Sequence, residues 1–153
     1  MKKQQTGPRL HSLEVPLDGS TLLVPSAAVA EVINTQKLAP VPFSEPWLHG
    51  VIGWRTLAVP VISIETLWGG PAMARTDAAK IVICYPLSGR KDWEFFAMFA
   101  TAEPRPQVLD GSQPVAESSE LPDSPYIAAG LKVDGRLMLI PDLDALKKAF
   151  YPA

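Results

Sequence analysis

Sixteen prolines are scattered along a chain of 153 residues, and no other feature restricts the fold as strongly. Each proline removes a backbone donor and fixes one dihedral, so long helices are interrupted while short strands joined by turns survive. Two Asp-Gly steps, Asp18-Gly19 and Asp134-Gly135, add hairpin signals, because glycine accepts the positive φ that a tight turn demands. The first separates the alternating run 11–15 from 21–24, and the second separates 131–133 from 137–140.

Further strand-like runs fall at 51–64, 80–85 and 93–99. Residues 58–62 carry Pro60, which places that run at a sheet edge or at the start of a strand. Ser26, after Pro25, is positioned to cap a short helical turn over 27–31, with Val29, Val32 and Ile33 toward one side. Residues 64–67 read as a second brief turn of helix, stopped by Gly69-Gly70. Residues 70–79 and the polar stretch 109–125 read as loops. Trp68 and Met73 are expected to close the core at the first of these loops. The chain ends on a helix over 142–151, with Asp142 as N-cap, Lys147-Lys148 in the last turns, and Leu143, Leu146, Ala149 and Phe150 on one face. With 47% hydrophobic residues the chain can bury a core of its own. The expectation is one mainly β domain over 9–152 behind a flexible tail, 1–8.

Two stretches echo each other. Pro46-Trp47-Leu48-His49-Gly50 precedes Arg55 and Pro60, and Pro125-Tyr126-Ile127-Ala128-Ala129-Gly130 precedes Arg136 and Pro141. Both run proline, aromatic, aliphatic, glycine, then arginine with proline five positions later. A duplicated β unit follows, with two related lobes at roughly 20–75 and 80–140, and closure into small barrels disposes of the edge strands. Gly50 then pairs with Gly130 and Arg55 with Arg136. Trp47 and Tyr126 would each plug a barrel end. Trp54, without a counterpart in the echo, is expected at the surface.

Leu23-Val24-Pro25 followed by Val29-Ala30-Glu31-Val32-Ile33 resembles one signature of the CheW-like chemotaxis adaptors, an apolar-Pro step before a Val-x-Glu-Ile element. Pro46-Trp47-Leu48-His49-Gly50-Val51, Arg55 and Pro60-Val61-Ile62 resemble its companion, with Thr56 where that pattern has Gly and Ser63 where it has Asp. The likeness covers most of 10–150, and the chain resembles a divergent member, similar to the CheW-like accessory proteins of pilus and twitching-motility chemosensory systems. It implies two intertwined five-stranded SH3-like β-barrel lobes with a short C-terminal helix. The partners it implies are the regulatory domain of a CheA-type histidine kinase and the cytoplasmic tip of a chemoreceptor. The partner-binding residues to which it points are Glu31 and Arg55; Trp54, Leu57 and Val59 join them as aromatic and aliphatic groups near short turns, which can form an interface centre, and Ile33 completes the candidate set. Glu31 and Arg55 are expected within ion-pair distance, either bracing the fold or meeting a partner.

Residue chemistry points the same way. The two histidines, His11 and His49, have no metal-ligand spacing, and a single cysteine, Cys84, excludes an intrachain disulfide. There is no nucleophile elbow and no phosphate loop, and Gly69-Gly70 runs into Pro71, which has no N–H to offer a phosphate. The reading is therefore no enzyme, no cofactor and no metal. Net charge is −2 and no run of Lys or Arg is longer than the pairs Lys2-Lys3, Arg90-Lys91 and Lys147-Lys148, so nothing reads as a nucleic-acid footprint. Apolar stretches are too short for membrane insertion, and the lone thiol suits a reducing, cytoplasmic location. The competing function class is a small-molecule-binding or purely structural β module.

Overall fold

The computed structural model describes residues 9–69, 78–87 and 89–150. The expected tail at 1–8, most of the 70–79 loop with Met73, and the end of the last helix at Tyr151 lie outside those residues. Along the chain run β1 (Leu10–Pro16), β2 (Thr21–Pro25), β3 (Val29–Asn34), β4 (Leu48–Trp54), β5 (Leu57–Ile62), α1 (Ile64–Leu67), β6 (Lys80–Cys84), β7 (Phe96–Ala100), β8 (Arg105–Leu109), β9 (Ile127–Val133), β10 (Arg136–Pro141) and α2 (Leu143–Phe150).

The strands form two five-stranded sheets, ordered β8-β1-β2-β10-β9 and β3-β6-β7-β5-β4. The first, here the terminal lobe, uses both ends of the chain; the second, the central lobe, uses its middle. Each sheet bends back on itself. After β3 the chain returns so that Ala39 exchanges two backbone hydrogen bonds of 2.9 Å with Val51 on the opposite edge strand. After β8, Val115 bridges Leu131 in the same way, flanked by bonds of 2.8 Å from Ala116 N to Gly130 O and 2.9 Å from Lys132 N to Pro114 O.

The two orders are the same order. β1 to β5 followed by α1 occupy the places that β6 to β10 followed by α2 occupy, but the first two strands of each unit join the last three of the other. The duplication expected from the sequence is therefore a sequential unit, whereas the lobes in space do not divide near residues 75–80. The hairpins β4–β5 and β9–β10 are equivalent edge pairs, each with its inner strand parallel to β7 or β2. The residue-by-residue echo is slipped by two positions in its later half. The residues that turn the two hairpins are Arg55-Thr56 and Asp134-Gly135, all at positive φ, so Arg55 corresponds to Asp134, and Leu57 to Arg136.

The shared chemistry of the two units lies elsewhere. Ser63 N donates to Trp47 O and Asp142 N to Tyr126 O, each at 2.8 Å. Ser63 Oγ then accepts from Thr66 N at 3.3 Å and Asp142 Oδ1 from Ala145 N at 3.0 Å, each capping the helix that follows its hairpin. Trp47 and Tyr126 pack half-buried against the core between the lobes rather than stopping a barrel end. That core joins Val15, Leu22, Val24 and Leu139 from the terminal lobe to Ile62, Val82, Phe96 and Met98 from the central one, with Leu146 of α2 over it. Trp68 packs against it as expected.

Three local expectations change. Residues 29–34, read partly as a helical turn, are strand β3; only Ser26–Ala28 form a 3-10 turn, and the Ser26 side chain caps nothing. The β-branched residues Val29, Val32 and Ile33 suit a pleated strand. Pro60 lies inside an inner strand, not at an edge. Alternation from the Trp54–Leu57 pair turns its nitrogen away from β4, and pairing with β7 begins only at Val61. β8 had no sequence signal: Arg105–Leu109 contains a proline and one buried residue, Leu109.

Candidate functional site

β3 and β4 are the outermost strands of the central lobe, and a side-chain cluster ties one to the other. Trp54 closes β4 immediately before the Arg55-Thr56 turn, so its ring drops into the lobe interior among Ile52, Val59, Ile81, Ile83 and Phe99 while its Nε1 reaches outward. That N–H donates to Glu31 Oε1 on β3 at 3.0 Å. Arg55 Nη2 donates to the same oxygen at 3.4 Å, and its guanidinium carbon stands 4.4 Å from the Trp54 ring centroid. One carboxylate oxygen thus collects an indole donor and a cation, and the cation rests on the indole face, an arrangement that suits the delocalised guanidinium.

The aromatic surface continues sideways. Phe95 lies 4.9 Å from Trp54, and Tyr85, 45% exposed, lies 5.8 Å from Phe95. Arg55 and Glu31 keep 65% and 43% of their side-chain surface in water. The pair is therefore accessible, and an exposed pair contributes at most about 1 kcal/mol to folding. Neither Tyr85 nor Phe95 was singled out by sequence; each flanks a strand end, where no spacing pattern marks it.

The six residues expected to meet a partner separate by burial. Glu31, Trp54 and Arg55 converge, and the expected ion pair forms. Trp54, however, is buried at 7% exposure rather than lying on the surface, because its indole completes the lobe's apolar filling. Val59 is fully buried in the same cluster and is core, not contact surface. Ile33 and Leu57 are half-buried and pack against that cluster. Thr56 adopts φ 65° and Arg55 φ 48°, so the turn forms without the expected glycine and keeps Arg55 beside Glu31.

Other chemistry-bearing side chains are absorbed in packing. His49 meets the Phe99 ring edge-on at 5.0 Å. Cys84 is enclosed, and burial pushes its thiol up to about 12, far from a reactive thiolate. Among the described residues, no group of three or more His, Cys, Asp or Glu is placed to hold a metal ion. No helix among them is long and apolar enough to cross a membrane.

No curated protein matches the chain by sequence. Among solved structures, the scaffolding protein TtCheW from Thermoanaerobacter tengcongensis has the same fold, with a TM-score of 0.72 at 16% identity over 88% of this chain and 90% of that one. The profile of the CheW-like domain matches residues 11–149, which takes in both interleaved units and the Glu31–Trp54–Arg55 cluster. The chain therefore belongs to the CheW-like domain family, a family of non-enzymatic chemotaxis scaffolds.

Proposed function

We propose that this scaffold couples a CheA-type histidine kinase, through its regulatory domain, to the cytoplasmic tip of a chemoreceptor, and that a partner reads the Glu31–Arg55 surface. The observation that carries the assignment is the accessible ion pair laid over a buried tryptophan. Trp54 fixes where the two charges stand, so they meet a partner with little further ordering, and rigid aromatic support next to an arginine is common at interface centres. Such a scaffold works in the cytoplasm, where both partners' regulatory elements lie. The Thr56 and Ser63 departures associate it with accessory members of pilus and twitching-motility systems.

The test is the affinity of Arg55→Ala for kinase regulatory domain and receptor tip, measured beside its denaturation curve. Binding to at least one partner should fall tenfold or more while stability drops by less than about 1 kcal/mol. Unchanged affinity for both would remove the ion pair from the interface.

A further inference from the structure

The duplicated unit ends differently in its two copies. In the central lobe, the end beside the Arg55-Thr56 turn is filled by apolar groups, with Leu57 and Ile83 packed around Trp54. In the terminal lobe the corresponding positions are charged: Arg136 stands in place of Leu57, directly after the hairpin turn, and Glu14 on β1 in place of Ile83 on β6. Glu14 lies across from Leu23 on one side and from Arg105 on the other. Leu23 belongs to the terminal lobe's own buried cluster with Leu109, Val133 and Met138, so Glu14 faces the lobe interior, and its side chain is only 8% exposed.

One guanidinium meets this buried carboxylate, and a second arginine, Arg105, stands across from it on the neighbouring strand. Arg136 Nη2 donates to Glu14 Oε1 at 2.9 Å. Arg105, the cross-strand neighbour, has no carboxylate within 4.0 Å among the described residues. Glu103, nearby, is 3.9 Å from Lys80. Glu14, Glu103, Arg105 and Arg136, with Pro16 and Thr21, line an open cleft of about 490 Å³. That is within the ordinary range for ligand sites, which recur at barrel mouths.

We propose that this mouth binds a carboxylate, with Arg105 as its anchor and Arg136, held in place by buried Glu14, as a second donor. A guanidinium presents a planar fork that a carboxylate matches with two hydrogen bonds, and Arg136 commits only one such bond to Glu14. Thr21 also lines the cleft. The site lies on a different lobe from the Glu31–Arg55 surface, and the inference does not rest on the adaptor reading. The carboxylate could be that of a free small molecule or of an acidic side chain on a peptide.

The full chain is titrated with succinate, and separately with acetyl-Ala-Glu-Ala-amide, while the backbone amides of Thr21, Glu103, Arg105 and Arg136 are followed by NMR at constant ionic strength. Succinamide, the uncharged analogue, is the control. Saturable shifts at these amides with either carboxylate, absent with succinamide, are expected. Arg105→Gln, which touches no core contact, should weaken the binding at least tenfold, and Arg55→Gln on the other lobe should leave it unchanged. Saturation by succinate assigns the site to free carboxylates, and by the peptide alone to acidic segments. The proposal is overturned if neither probe saturates, if succinamide acts equally, or if Arg105→Gln binds like the parent.

Discussion

The Arg55-Thr56 turn holds two side-chain-bearing residues in the left-handed region, at a cost of roughly 1–2 kcal/mol each. A β-branched threonine is especially ill suited there. Thr56→Gly is expected to stabilise the protein by about 0.5–1 kcal/mol in urea denaturation, the relief of strain being partly offset by glycine's greater unfolded-state freedom. Trp54 and Arg55 are adjacent yet should behave oppositely. Trp54→Ala removes a buried ring and should cost about 3–5 kcal/mol, against less than about 1 kcal/mol for Arg55→Ala. The convergence of Glu31 with Arg55 follows from the family resemblance, whereas the burial of Trp54 is not legible in the sequence. An aromatic beside a turn is compatible with either position, and only the direction of the pleat decides between them. Cys84 gives a pH signature. Its thiol titrates near 9.0 ordinarily and about 12 in the folded chain, so the unfolded chain loses this proton first. The stability tied to it is complete below about pH 9 and disappears as pH rises toward 12. Cys84→Ala should accordingly lose less stability than the parent between pH 8 and pH 10.5, and the parent thiol should resist alkylation at pH 8 until the chain is unfolded.

Between elements, the lobes hold each other by reciprocal grips. Glu65 of α1, which follows the central lobe's hairpin, accepts from Asp18 N at 2.8 Å and Gly19 N at 2.9 Å in the terminal lobe's β1–β2 turn. In the other direction Arg90, in the β6–β7 connection of the central lobe, donates to Lys147 O of α2 at 3.5 Å. Glu65 is 6% exposed, so Glu65→Ala leaves two backbone donors without their charged acceptor. A loss of about 2–3 kcal/mol is expected, with faster hydrogen exchange at the Asp18 and Gly19 amides. Gly50 tests the closure of the central lobe. It has φ 146°, and a Cβ there would stand 2.6 Å from the Ala39 carbonyl oxygen, which the bridge to Val51 fixes. Gly50→Ala should prevent stable folding, seen as loss of a cooperative melting transition. The hairpins were legible because Asp-Gly turns and β-branched runs are local signals. The slipped echo and the missing β8 were not, because register and edge pairing are set by the partner strand, which lies far along the chain.

At the scale of the molecule, interleaving makes the domain one cooperative object. Each sheet draws strands from both sequential units, and the core between the lobes takes side chains from both. Residues 1–77 and 78–153 expressed separately should each lack a cooperative transition and recover it on mixing; two independently folding halves would refute the shared core. Duplication was readable in sequence as repeated motifs, but the exchange of strands between copies was not, since each copy has the same local pattern whichever lobe it joins. A scaffold of this build has two dissimilar lobe ends, which the proposed coupling of two partners would use. The most direct test of the coupling claim is co-sedimentation of the cognate kinase with receptor-bearing membranes, with and without this chain. The kinase is expected to sediment only when the chain is present, and Arg55→Ala to reduce that fraction sharply. Equal sedimentation of the kinase in its absence would contradict the account.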